Sequence, residues 1–144
     1  MDLRLVKDIK QSEGYSLKAY KDSLGFWTKG YGHLMADQSL NAAGYTITQE
    51  QAESLLEGDL EQAKSRCIHL VEWPSLDTAC RQNAIIELEF NMAGKWLKFV
   101  KTRLYIRNQL WQAAHDELLN SAWAKQVGPT RSNRIANYLL TGQY

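Results

Sequence analysis

Cysteine is nearly missing from this chain. Cys67 and Cys80 are the only two among 144 residues, too few and too far apart for a disulfide framework or a zinc knuckle. They read as free, buried thiols in preference to a single bridge, because unpaired cysteine is so often interior. Histidine is almost as scarce: His33, His69 and His115 are spread too widely to suggest a metal site, and neither a metal nor another cofactor is expected. No apolar run approaches the length that spans a bilayer, which argues against stable membrane insertion. A secretory leader is lacking as well, since Met1-Asp2-Leu3-Arg4-Leu5-Val6-Lys7-Asp8 places charges where a leader needs unbroken apolar residues. A substrate outside the cytoplasmic membrane would therefore have to be reached by some other route. Internal repeats and low-complexity tracts are also wanting.

What is present is ordinary globular material, 44% hydrophobic and 23% charged, at a length that suits one domain or two small lobes sharing a core. Net charge is only +1, but it is unevenly spread. Residues 48–94 carry three basic and nine acidic groups, residues 95–144 eight and two. A basic end suits an anionic polymer, either a cell wall or a nucleic acid. With no nucleic-acid motif in the chain, the wall is favoured and nucleic acid is not expected as a partner.

Hydrophobic periodicity places the elements. Leu3, Val6 and Ile9, with Leu5, repeat at helical spacing after the N-cap residue Asp2 and before Gly14, predicting a helix over 3–13. Between Tyr15 and His33 the pattern shortens to alternating runs separated by Lys21-Asp22-Ser23-Leu24-Gly25, the signature of a small antiparallel sheet with a turn. A capping box of Thr48 and Gln51 then opens a long helix with an apolar stripe through Ala52, Leu55, Leu56, Leu60, Ala63 and Cys67. Further helices are expected over about 76–92, 97–108, 111–119 and 129–140, the last with Pro129 in its first turn and Gly142 at its end. The fold class is α+β, mostly helical, with one small sheet near the front.

Two acids stand out. Glu13 follows Ile9 by one helical turn, so it sits at the edge of the buried stripe and at the negative end of its helix. Desolvation and the helix dipole both disfavour its ionised form there, as a general acid near neutral pH requires. Asp22 lies in the hairpin turn, where water and backbone donors keep a carboxylate charged. Diverging carboxyls of this kind are what glycoside hydrolysis uses. Thr28, on the return strand, places a hydroxyl where it can help hold a water. On placement alone, a Glu at a helix end and an Asp in a turn are among the commonest positions for acids, and plain solvation is the better reading.

The wider pattern is more specific. Glu13-Gly14-Tyr15, Ala19-Tyr20-Lys21-Asp22, Thr28 and Gly30-Tyr31-Gly32-His33-Leu34 together resemble the active-site block of the phage-type lysozymes, in which Glu, eight residues, Asp, five residues, Thr is the signature. The resemblance continues through Ser39-Leu40-Asn41-Ala42-Ala43, Asp59, Phe90-Asn91-Met92, Trp111, Trp123, Arg131, Arg134 and Thr141-Gly142. It implies a two-lobed fold, with an N-terminal lobe over about 1–50, a connecting helix over about 49–68 and a C-terminal helical lobe over about 75–144. It also implies an inverting muramidase, an endolysin acting on bacterial peptidoglycan, with Glu13 as acid, Asp22 activating water and Thr28 positioning it. Such a protein would be a monomer made in the host cytoplasm and active in the periplasm or wall after release. Leu34, Phe90 and Thr102 would line the sugar cleft, Thr102 standing where the family often has serine. His33 would pair with Asp59, and Arg131 would give structural support. The chain departs from the family at Glu117, a cleft position that can hold asparagine.

Arg131 and Arg134, three apart on the last helix, are open to two readings, towards the cleft and Glu13 or out into solvent. The tryptophans 73, 96, 111 and 123 read as core, and Trp27 points away from Thr28 as the one tryptophan candidate for the cleft. Two rival functions remain. A silent wall-binding module would not need Glu13, Asp22 and Thr28 together, and a lytic transglycosylase would not need Asp22.

Overall fold

The computed structural model describes residues 2–22 and 24–144; Met1, and Ser23 of the turn expected over 21–25, lie outside them. The chain divides into two compact units, Met1–Gln62 and Ala63–Tyr144. Seven α-helices and one three-stranded antiparallel sheet are present among the described residues, a mostly helical α+β fold of the lysozyme-like kind.

In the first unit, α1 (Leu3–Glu13) begins where the Asp2 carboxylate accepts the backbone N–H groups of Arg4 and Leu5 at 2.8 and 3.2 Å, satisfying two donors that a first turn leaves without partners. Leu5 and Ile9 are its buried stripe. The sheet follows in the order β1 (Ser16–Lys21), β2 (Trp27–Gly30) and β3 (His33–Leu34). Tyr20 stands opposite Thr28, and Thr28 opposite Leu34. Directly opposed residues of an antiparallel ladder share a face, so these three make one row across the sheet. Trp27 takes the other face, packing on Ala19, Met35 and Ala42 with the Lys21 ammonium 5.3 Å from its ring centre. It is half-buried there.

Helix α2 (Gln49–Cys67) opens on the expected capping box. The Thr48 hydroxyl accepts the Gln51 N–H at 3.1 Å and the Gln51 side-chain carbonyl accepts the Thr48 N–H at 2.8 Å. Ala52, Leu56, Leu60, Ala63 and Cys67 are fully covered, whereas Leu55 of the same predicted stripe is only half-buried. A β-carbon at Gly30 would lie 3.4 Å from that of Ala52, so two small residues let the end of β2 run close over α2.

In the second unit, α3 (Ala79–Met92) is buried along almost its whole length. It starts three residues later than the apolar pattern suggested, because the Thr78 hydroxyl caps it by accepting the Arg81 N–H at 3.1 Å. The helix expected over 97–108 is two pieces, a 3-10 turn Lys95–Lys98 and α4 (Val100–Arg107), broken at Phe99 by φ −82° and ψ 59°. The cause is Trp96, fully buried and donating its indole N–H to Glu72 at 3.0 Å. The helices α5 (Trp111–Leu119) and α7 (Pro129–Thr141) fall within a residue of expectation, and between them lies α6 (Ala122–Val127), which periodicity is too short to reveal. Cys67 and Cys80 are free thiols, both buried, so the bridged alternative is excluded. Burial pushes the Cys67 thiol up to about 12, helped by the negative charges of Glu89 and Glu72.

Candidate active site

The first unit assembles its chemistry around the turn between β2 and β3. Glu13 ends α1, where Gly14 adopts φ 61° and sends its N–H back to Lys10 at 3.1 Å. Its half-buried carboxylate lies directly against the Gly32 backbone: a β-carbon there would come within 2.9 Å of Glu13 Oε2, and Gly32 has φ 75°. Only glycine combines that left-handed backbone with so close an approach.

What presses α1 and this turn together is Glu53 of α2, which sequence reasoning did not single out. Its Oε1 accepts from Lys10 Nζ at 2.7 Å, the Tyr31 hydroxyl at 3.1 Å and Gln49 Nε2 at 3.0 Å. The Lys10 contact holds Glu53 below the usual carboxylate range and lifts Lys10 above its own. Tyr15, just past Glu13, stacks on Tyr31 at 5.0 Å. Two residues past Tyr31, His33 Nδ1 lies 2.8 Å from Asp59 Oδ2, tying β3 to the same helix. The pairing of His33 with Asp59 is the one the family resemblance implies, whereas Glu53 reads only as part of a solvated acidic helix until the turn is placed above it.

Asp22 follows β1 and is fixed by its own turn. Its Oδ1 accepts the N–H groups of Leu24 and Phe26, both at 2.9 Å, while its N–H donates to the Phe26 carbonyl at 2.9 Å. That same carbonyl accepts the Thr28 hydroxyl at 2.9 Å. Asp22 and Thr28 are thereby locked to one peptide group, and Thr28 is buried.

Tyr20 relates the two acids. It lies near the end of β1, two residues before Asp22, and it is opposite Thr28. Its phenol is raised above the ordinary value first by burial, then by the negative charges of Glu13 and of Asp22. Leu34 completes the row beside Thr28 and is 58% exposed, an apolar surface next to polar groups. Tyr20 shares its face of the sheet with Thr28, a neighbour that only the register of β1 on β2 reveals.

In the second unit, Thr102 is buried on α4 and lines an open recess of about 320 Å³ together with Glu117, Lys98, Lys101 and Ser121. Phe90, half-buried near the end of α3, is not among the residues lining it. Arg131 and Arg134 are not solvated surface residues. Glu87, on α3 and fully buried, accepts from Arg131 Nε at 3.0 Å and from both terminal nitrogens of Arg134 at 2.9 and 2.7 Å. Glu87 was missed because nothing local distinguishes it from its neighbour Glu89, which takes Arg66 at 2.8 Å.

The chain matches the family model described as phage lysozyme over residues 10–136. It is 32% identical over 164 aligned residues to a protein of Dictyostelium discoideum named probable T4-type lysozyme 1, covering 95% of this chain and 94% of the relative. It is 35% identical over 120 residues to the endolysin of Salmonella phage P22, covering 81% and 78%. It is also 26% identical to the pre-baseplate central spike protein of Enterobacteria phage T4, where it covers 98% of this chain but 28% of that one.

Proposed function

The chain belongs to the phage lysozyme family, glycoside hydrolases of bacterial peptidoglycan, and on that premise we propose that it is an inverting muramidase using Glu13, Asp22 and Thr28. The bond cleaved is the β-1,4 link between N-acetylmuramic acid and N-acetylglucosamine. Glu13 gives its proton to the leaving glycosidic oxygen. A water loses its proton to Asp22 and attacks the anomeric carbon from the opposite side, so one proton enters and one leaves at each turnover.

The observation that supports this reading is the attachment of Asp22 and Thr28 to the one Phe26 peptide, in the same unit in which the Glu13 carboxylate lies against Gly32. Since the Thr28 hydroxyl gives its proton to Phe26, its oxygen can only accept from the attacking water, which is the orientation Asp22 needs to take the other proton. A nucleophilic carboxylate would need no such hydroxyl. Leu34, Phe90 and Thr102 are the proposed sugar contacts. The protein acts as a monomeric endolysin, made in the host cytoplasm and reaching the wall on release.

The test is proton NMR of freshly cleaved glycan chains, which should show the α-anomer before mutarotation. Glu13→Gln, which keeps the side chain's shape without its proton, should lower turnover about a hundredfold to ten-thousandfold with the fold intact. An initial β-anomer or a glycosyl adduct on Asp22 would overturn the water-activating role. Anhydro products by mass spectrometry would make the enzyme a lytic transglycosylase instead.

A further inference from the structure

The second unit carries an apolar surface that the hydrolytic reading does not use. Val100 and Leu104, one turn apart on α4, join Val71 around a shallow recess of about 180 Å³, completed by Glu72, Arg103 and Arg107. The three aliphatic side chains are 63%, 68% and 51% exposed at Val71, Val100 and Leu104 respectively. Nothing in the unit covers them.

The charges around this surface have one sign. Residues 95–107 contain Lys95, Lys98, Lys101, Arg103 and Arg107 and no acid. Glu72, the one acid of the recess, is fully buried and neutralised by Arg103, which binds it through two nitrogens at 2.6 and 3.0 Å. The adjoining recess at Lys98 and Lys101 also holds Glu117. Among the described residues none of Lys95, Lys98, Lys101 and Arg107 forms an ion pair. They are all exposed.

We propose that this face of α4, with Val71, docks on an anionic phospholipid bilayer. A soluble polyanion would pair with the cations but leave the three aliphatic side chains in water. A bilayer surface satisfies both, because its phosphates meet the lysines while its acyl boundary receives Val71, Val100 and Leu104. The α4 helix lies in the interface plane and does not cross it: no helix among the described residues is long and apolar enough to span a membrane. Adsorption concentrates the enzyme at a membrane facing its substrate without fixing it there.

The whole chain should co-sediment with vesicles of phosphatidylethanolamine and phosphatidylglycerol and not with vesicles of phosphatidylcholine, and added salt should weaken the binding. Lys95→Gln with Arg107→Gln should reduce the partition coefficient about 25-fold, at about fivefold for each charge removed. Val71→Gln with Leu104→Gln, which leaves the charge unchanged, should reduce it about tenfold. Melting curves and hydrolysis of purified peptidoglycan should match the parent for both pairs, since these exposed positions touch neither the proposed site nor the core. Equal binding to both kinds of vesicle, or none to either, overturns the proposal. So does loss in the charge pair with none in the apolar pair, which would assign the surface to a soluble polyanion.

Discussion

Replacing Gly32 by alanine separates two effects that usually arrive together. The first is backbone strain: φ is 75°, and an L-residue held in the left-handed region costs about 1 to 2 kcal/mol. For a chain of this size that is a fall in melting temperature of roughly 3 to 8 °C. The second is crowding, because the new methyl carbon would stand 2.9 Å from Glu13 Oε2, closer than such atoms approach. The carboxylate is the end of a flexible side chain and will yield, moving off its position by several tenths of an ångström. Misplacing a catalytic group on the scale of 1 Å costs about a hundredfold in rate, so a fall of at least about tenfold is expected. Gly44→Ala provides the control, since Gly44 has φ 84° with nothing within 4 Å of its would-be β-carbon. The two variants should lose similar melting temperature, yet only Gly32→Ala should lose turnover of peptidoglycan. If both retain parental activity, the contact between Glu13 and Gly32 does not set the position of the acid during catalysis.

Three other outcomes follow from the geometry. His33→Ala should cost about 1 to 2 kcal/mol by thermal melting, because it leaves a three-quarters buried Asp59 without its 2.8 Å partner, while turnover persists; lost activity at unchanged melting temperature would make His33 part of the chemistry. Glu87→Ala should destabilise by about 3 to 5 kcal/mol, since it removes the buried carboxylate that Arg131 and Arg134 share, and a variant that melts within 2 °C of the parent (under about 1 kcal/mol) would refute the role given to that carboxylate. Cys67, pushed up to about 12 by burial, should stay a thiol and resist alkylation in the native protein up to strongly alkaline pH. Its folded value lies above the unfolded one, so the stability linked to it is complete below the unfolded value, near 8.5, and is lost as pH rises from there towards 12. Alkylation of Cys67 at pH 8 as fast as in the denatured chain would contradict its burial.

The sequence by itself determined the features that act within four residues or repeat along one element. Asp2 caps α1, Thr48 and Gln51 box the start of α2, Pro129 opens α7, and the alternation around Asp22 makes strands, because caps, turns and periodic stripes are satisfied by near neighbours. The Glu13, Asp22 and Thr28 spacing is likewise read straight off the chain. Tertiary structure alone decided which distant partner each polar group takes. It chose Glu53 to hold Lys10 against Tyr31, Glu87 to gather Arg131 and Arg134, and Glu72 to seat Trp96 and so break the helix at Phe99. It also laid the Gly32 backbone against the Glu13 carboxylate. A buried charge must find a partner or become neutral, and among 16 acidic residues only the packing of the chain shows which ones are buried and what lies opposite them.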